Sequence, residues 1–442
     1  MAVTRGAHGN DPLRPYDSGT MGWTRREATH LLWRTQFGAS KADIDNALAA
    51  GLERAVERLV TSQPESQSFQ RSDHLLRQVA EDTGNILDLK AWWINRMLHS
   101  ANPLVERMSL FWHSHFATSD VKVRSVRHMA AQNDLIRGEA LGSFSALLSG
   151  MARDVAMLIW LDGNANRKRH ANENFAREVM ELFALDVGHY SERDISEAAR
   201  AFTGWHVRND RFWFNRRQHD FGQKTVLGRT GDLDGEDVIA LCLAQPACPR
   251  FLARKLLHAF VTIVPREEDV GALASSIRRH DFHMAPVLRQ LLLSQLFFSP
   301  SARHALIKSP TDFVLGAYRS TKSSENLRQT ARVLARLGQD LFAPPTVKGW
   351  EGGRLWISSS SLLQRTNFVA DLVADHVVPI NSEPKRPERL VQYYIDLLLS
   401  GRADETASDR LVQYVEEGAR KPGARTRGLL HLIMTMPEYQ LM

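Results

Sequence analysis

Residues able to do chemistry crowd first into HANENFAREVMELF, 170 to 183. On a helix, with about 100° between residues, Glu173, Arg177, Glu181, Asn174 and Glu178 fill one polar arc, and Phe175, Val179, Leu182 and Phe183 fill the opposite side. Carboxylates placed as Glu178 and Glu181 are can act as general acid and base or ligate a hard metal. The arc also has a plainer account, an i, i+4, i+8 ladder of Glu173, Arg177 and Glu181 on a solvated face. Asn172 suits the N-cap, and Glu173 favours the first turn. The preceding turn, WLDGNANRKRH, brings Arg167, Lys168 and Arg169 to that N-terminus. With Asn172, Glu173 and Asn174 it has the make-up of an anion or polar-substrate site, and equally of a solvated basic loop.

A second constellation is NPLVERMSLFWHSHFATSD, 102 to 120, where Asn102 and Pro103 form an N-cap and N1 pair. Leu104, Met108, Phe111 and Trp112 share an apolar face, and Glu106 points the same way as His113 two turns on. Side chains spaced H-x-H diverge on a helix, so a metal held by His113 and His115, with His219 or Asp220, requires the helix to end near His113. If the helix continues, His115 becomes a hydrogen-bonded core histidine. The third constellation, His219 and Asp220 with Lys224 close behind, lies on RFWFNRRQHDFGQKTVLG (211 to 228), which alternates like a short β-hairpin or a structured loop. Together these residues are the types that a divalent cation site or an acid–base pair would use.

Positioning them falls to helices, whose periodicity runs through nearly the whole chain. Thr24 with Glu27 reads as a capping box, Ser40 with Asp43 as its acidic variant, and Gly51 as a stop. Helices are predicted at, among others, 88 to 100, 103 to 113, 125 to 150, 172 to 186, 192 to 203, 249 to 262, 309 to 320 and 361 to 376. The fold class is mainly α, a large multi-helix globular domain with one short β-hairpin or irregular insertion. Its divisions are a flexible N-terminal segment (1–23), a main helical domain (24–380) and a C-terminal helical subdomain (386–442) packed on it, with NSEPKRPER (381 to 389) as the linker. FAPPTVKGWEGGRLWISSSS (342 to 361) holds two prolines, three glycines and two tryptophans, the composition of a functional loop.

A chain of 442 residues, 43% hydrophobic and 24% charged, is ordinary globular composition. The formal charge of +6 is small over this much surface, and the nearest basic run is only Arg167 to His170, so nucleic acid is not the expected partner. Cys242 and Cys248, spaced C-x5-C, match neither a zinc ribbon nor a redox pair. The N-terminal stretch has no apolar leader and no run reaches membrane-span length, which gives the expectation of a cytoplasmic chain without a membrane span.

The chain resembles the bacterial family catalogued as domain of unknown function 1800. The likeness rests on ERMSLFWHSHFATS, NENFAREVMELF, GHYSERDISEAARAFTGW, HDFGQKTVLG, ARKLLHAFV and PPTVKGWEGGRLWISSSSLLQRTNF. Ser114 stands where the family has Asn, and His170–Ala171 replaces an entry containing Pro. The resemblance marks His113, His115, Asn172, Glu173, Asn174, Glu178, Glu181, Trp205, His219, Asp220, Lys224, Trp350 and Gly352 as shared. It also implies export in many members and a neighbouring gene for a sulfatase- or phosphatase-like protein.

Two functions fit. One is a hydrolase or lyase on a polar, glycan-like substrate, with Glu178, Glu181, His219 and Asp220 as catalytic groups, a divalent metal as the cofactor to look for, and Trp112, Trp205, Trp213, Trp350 and Trp356 as aromatic walls. The other is a scaffold or chaperone for the sulfatase- or phosphatase-like partner, docking through 342 to 361. Convergence of the polar residues in one pocket favours the first, and separate pairs beside an exposed apolar patch favour the second.

Overall fold

The computed structural model describes residues 11–374, 384–417 and 422–442. Within them the chain forms 23 α-helices and two small two-stranded antiparallel sheets. The elements that position the site are, in chain order, α1 (Arg25–Thr35), α2 (Ile86–His99), α3 (Pro103–His115), α4 (Glu173–Glu178), α5 (Glu192–Ala201), the strands β1 (Trp205–Arg208), β2 (Arg211–Phe214), β3 (Lys224–Val226) and β4 (Arg229–Gly231), then α6 (Ala247–Phe260), α7 (Pro310–Thr321) and α8 (Ser359–Ala374).

Local signals explain many ends. Thr24 and Glu27 close the capping box of α1. Ser40 and Asp43 do the same for Lys41–Ala50, which stops at Gly51 with φ 82°. Asn102 precedes α3 but makes no capping bond; its amide binds the backbone of Gln63 instead, Nδ2 donating to the carbonyl at 2.9 Å and Oδ1 accepting from the N–H at 2.7 Å. The span 125 to 150 is two helices, Val126–Gly138 and Phe144–Ala152, the second capped by Ser143. The first hairpin begins at Trp205, ahead of the predicted stretch, and β3–β4 forms a second.

One contiguous apolar cluster runs from Leu13 to Met442. The region 386 to 442 contributes Leu390, Tyr394, Leu398, Leu411, Leu429 and Ile433 to it. Of the linker, residues 381 to 383 lie outside the described residues, and Pro387 already opens a helix. The N-terminal segment expected to be flexible packs over its described part. Leu13 and Tyr16 are buried, and Tyr16 N–H donates to Leu293 O at 2.7 Å.

Candidate functional site

Helix α3 continues through His115, past the point where a two-histidine metal site needs it to stop. Each imidazole is committed elsewhere. His113 sits among the rings of Trp93, Phe342 and Trp350, and its Nε2 accepts the N–H of Phe342 at 3.2 Å. Burial pushes its pKa down to about 3. Glu106 does not support it; that buried carboxylate takes hydrogen bonds from Trp93 Nε1, Arg96 Nε and Arg137 Nε at 3.0, 2.9 and 2.8 Å.

His115 is a hydrogen-bonded core histidine with an unforeseen partner. Its Nε2 lies 3.1 Å from Phe183 O and its Nδ1 lies 3.0 Å from Lys255 Nζ. A carbonyl only accepts, so Nε2 carries the proton, and Nδ1 is the acceptor facing the amine. Burial, then the nearby Lys255 charge, hold the imidazole neutral, well below its usual pKa. Burial likewise lowers Lys255 to about 8, with Asp186 opposing. The ammonium also lies 4.7 Å from the centroid of Phe251.

Phe183 owes its place to a departure from α geometry. The helix from Asn172 turns π-helical over Val179–Leu185, and Asp186 N–H donates to Glu181 O, five residues back, at 3.0 Å. Such widened turns recur at functional sites. The polar arc is thereby divided. Glu173 and Arg177 stay on the surface, Arg177 pairing with Glu192 at 2.7 Å, while Glu178 and Glu181 are half-buried. Glu181 accepts from Tyr190 OH at 2.5 Å. Burial and then Glu181 raise the Glu178 pKa, with Arg177 and Lys348 opposing.

The segment 342 to 361 folds over the end of α3. Gly349, at φ 80°, lies so close that a Cβ there would sit 2.2 Å from Ser114 O. Trp350 N–H donates to Ser114 Oγ at 3.4 Å. Beneath the segment opens a cleft of about 180 Å³ between α3, α6 and α7, with Trp350, Trp356 and Phe111 among its aromatic lining and Arg107, Ser114 and Gln339 among its polar lining. Phe111 is one turn before His115, and Ala259, also in the lining, is one turn after Lys255. The other candidate walls do not join it. Trp112 and Trp205 are core residues, and Trp213 stands exposed on the hairpin.

His219, Asp220 and Lys224 form separate contacts, the first two tying the hairpin region to α5 and the residues just after it and the third lying within the hairpin region itself. His219 Nδ1 donates to Thr203 O at 2.7 Å, Asp220 accepts Arg200 Nε at 2.9 Å, and buried Lys224 reaches Asp232 at 3.3 Å. The Arg200 hydrogen bond holds the Asp220 carboxyl below its ordinary range. Trp205 packs edge-on between Phe202 and Phe212 under the Arg153 guanidinium. Asn172 caps α4, its Oδ1 accepting Asn174 N–H at 3.1 Å, and Nδ2 reaches Asp162 O at 3.3 Å. Arg167, Arg169 and Asn174 are exposed.

Among the described residues, no group of three or more His, Cys, Asp or Glu side chains could hold a metal ion. Cys242 and Cys248 are free and buried, and no described helix is long and apolar enough to cross a membrane. Lys255 escaped the sequence reading, although the signal was there. It is a single cation among Phe251, Leu252, Leu256 and Ala259 on the inward face of α6.

These features define a mainly helical protein with a tryptophan-walled cleft near a half-buried lysine that meets a buried histidine. Residues 30–441 match the model of the family described as "Protein of unknown function (DUF1800)". The chain belongs to that family. Comparisons with curated proteins and with solved structures return no match.

Proposed function

We propose that this chain is an enzyme, a hydrolase or lyase working by acid–base chemistry on a polar, ring-bearing, glycan-like substrate in the Trp350/Trp356 cleft. The supporting observation is the Lys255–His115 pair one helical turn from the cleft lining. A reactive amine with a lowered pKa, held by a hydrogen-bond acceptor that a third group orients, makes an activated side chain. Here Lys255 is the amine, His115 Nδ1 the acceptor, and the Phe183 carbonyl the group that fixes the imidazole. As the neutral amine, Lys255 would take a proton from substrate, and tryptophan faces suit sugar rings. Glu178 lies within electrostatic reach of Lys348, on the loop that carries Trp350. Glu178, with its raised pKa, is the candidate proton donor, and Glu181, held by Tyr190 OH, is the second carboxylate beside it. His219, Asp220 and Lys224 are assigned to holding the hairpin, with no direct role in the reaction. The experiment is a turnover screen with neutral and uronic oligosaccharides, alongside tryptophan fluorescence titration. Lys255→Met should abolish turnover and keep binding, whereas Trp350→Ala with Trp356→Ala should lose binding. Full turnover by Lys255→Met would refute the assignment.

One observation favours the scaffold reading. Leu355, Leu362 and Leu363, at the end of the same loop and the start of α8, are 67%, 39% and 60% exposed. An apolar patch of this kind suits a protein partner, and the sulfatase- or phosphatase-like protein is the candidate. Aspartate at these three leucines would then abolish association, and Lys255→Met would leave it unchanged.

A further inference from the structure

The runs RKRH (167–170) and NRRQ (215–218) are far apart in sequence, and the fold sets them side by side. Lys168 N–H donates to Gln218 O at 2.7 Å, and Asn215 N–H to Gly204 O at 2.7 Å. Gly204 N–H and His206 Nε2 both donate to Asn166 O at 3.1 Å. The basic loop therefore lies along the first hairpin, where Arg208 and Arg211 face each other across β1 and β2. Arg167, Lys168, Arg169, Arg208, Arg211, Arg216 and Arg217 are all exposed, and none is in an ion pair with a described carboxylate. Neighbouring carboxylates are engaged elsewhere: Asp162 with Lys122 at 2.8 Å and Asp220 with Arg200 at 2.9 Å, while Asp210, in the hairpin turn, faces His128 at 3.3 Å.

Aromatic rings are interleaved with these cations. Trp213, Phe214 and Phe221 are 38%, 39% and 42% exposed. Arg208 lies over Trp213 at 5.0 Å and Arg216 over Phe221 at 5.2 Å from the ring centroids. A guanidinium resting on a ring keeps its charge and its outward donors, and its planar fork matches carboxylate, sulfate or phosphate. Single-stranded nucleic acid needs free ring faces on which bases stack, and here two of the three rings already carry an arginine.

We propose that this face binds an anionic polysaccharide, a sugar chain bearing carboxylate or sulfate groups. It rests on the glycan reading of the cleft and extends it from a sugar ring to a charged polymer. Contacts of this kind are individually weak at an exposed surface, so binding sums over several and falls as salt rises.

The test measures binding of the full chain to dextran sulfate, to unsubstituted dextran of equal length and to an oligothymidylate, at two salt concentrations. Dextran sulfate should bind in a salt-sensitive manner, unsubstituted dextran should not, and oligothymidylate should bind more weakly than dextran sulfate. Lys168→Ser, Arg208→Ser and Arg217→Ser combined should weaken dextran sulfate by about tenfold or more at unchanged melting temperature. Arg332→Ser with Arg336→Ser, exposed cations elsewhere, should change it by less than about twofold. Equal loss in both variants, absence of binding, or oligothymidylate binding as tight as dextran sulfate would each overturn the assignment. A neutral oligosaccharide that still reaches the Trp350/Trp356 cleft in the triple variant would show the cleft reading intact whichever way the patch falls.

Discussion

Lys255 Nζ stands 3.0 Å from His115 Nδ1, and the far nitrogen of that same ring is fixed on Phe183 O at 3.1 Å. One helix supplies the amine, a second the imidazole that accepts its hydrogen bond, and a π-helical turn the carbonyl that sets the tautomer. With Lys255 lowered to about 8, the amine becomes neutral within an accessible pH range. Turnover that uses it as a base should rise through about pH 8, and His115→Phe should depress it. In the window between about 8 and the ordinary lysine value of 10.5, the unfolded chain holds a proton that the folded chain has released, so stability rises with pH there. Thermal melts of wild type against Lys255→Met should show the wild type gaining on the variant from pH 8 to 10. A constant difference would mean that Lys255 titrates as an ordinary surface lysine.

Glu178 shifts the other way. Burial and Glu181 raise its pKa above the ordinary glutamate value of 4.5, so just above that pH the folded chain retains a proton that the unfolded chain has lost. Its stabilising contribution is full at low pH and is lost as pH rises through the folded pKa. Glu178→Gln removes a strained charge, and its melting temperature at pH 7 should equal or exceed that of wild type. If Glu178 is the proton donor, turnover should fall by about 10²- to 10⁴-fold. A destabilised variant with intact turnover would make Glu178 structural.

Much of the helical framework was legible because caps and apolar stripes are local. Thr24 with Glu27 and Ser40 with Asp43 formed the predicted boxes. Helix Gln67–Thr83 was not legible, since only Phe69 and Ala80 are buried along it and Leu75 and Val79 remain exposed, leaving no stripe to read. The π turn at Val179 has the same residue pattern as an α-helix, so the wheel placed Glu178 and Glu181 correctly on the polar side but could not divide the arc into a solvated half and a half-buried one. His115 as a core histidine follows from helical phase, whereas its pairing with Lys255 is a contact between distant segments that no local pattern encodes. The joining of 167–169 to the hairpin is likewise a tertiary fact.

Gly349 tests whether the loop must lie on α3. At φ 80° with a Cβ position 2.2 Å from Ser114 O, alanine meets both backbone strain and a clash with main-chain atoms that cannot move independently. Gly349→Ala should cost about 1–3 kcal/mol, shift Trp350 emission and abolish cleft binding. Gly353→Ala, at φ 57° with nothing within 4 Å, should cost about 1–2 kcal/mol at most and retain binding. Equal behaviour of the two variants would show that the close approach to Ser114 does not govern the cleft.

His113 separates the structural from the metal-binding account of this pair of histidines. Its Nε2 already accepts the Phe342 N–H, and three aromatic rings surround the imidazole. His113→Phe would fill the space but leave that N–H unpaired, at a cost of about 1–3 kcal/mol. With a folded pKa of about 3 against the ordinary histidine value of 6.5, the histidine stays neutral in the fold while the unfolded chain takes up a proton. Its contribution is present above about pH 6.5 and is lost as pH falls toward 3. His113→Phe should therefore flatten the acid limb of the stability curve. Chelator should leave the melting temperature unchanged, and elemental analysis should find equal metal content in wild type and in the His113→Ala, His115→Ala double variant. Near-stoichiometric metal that disappears in the double variant would show that these imidazoles rearrange to ligate it.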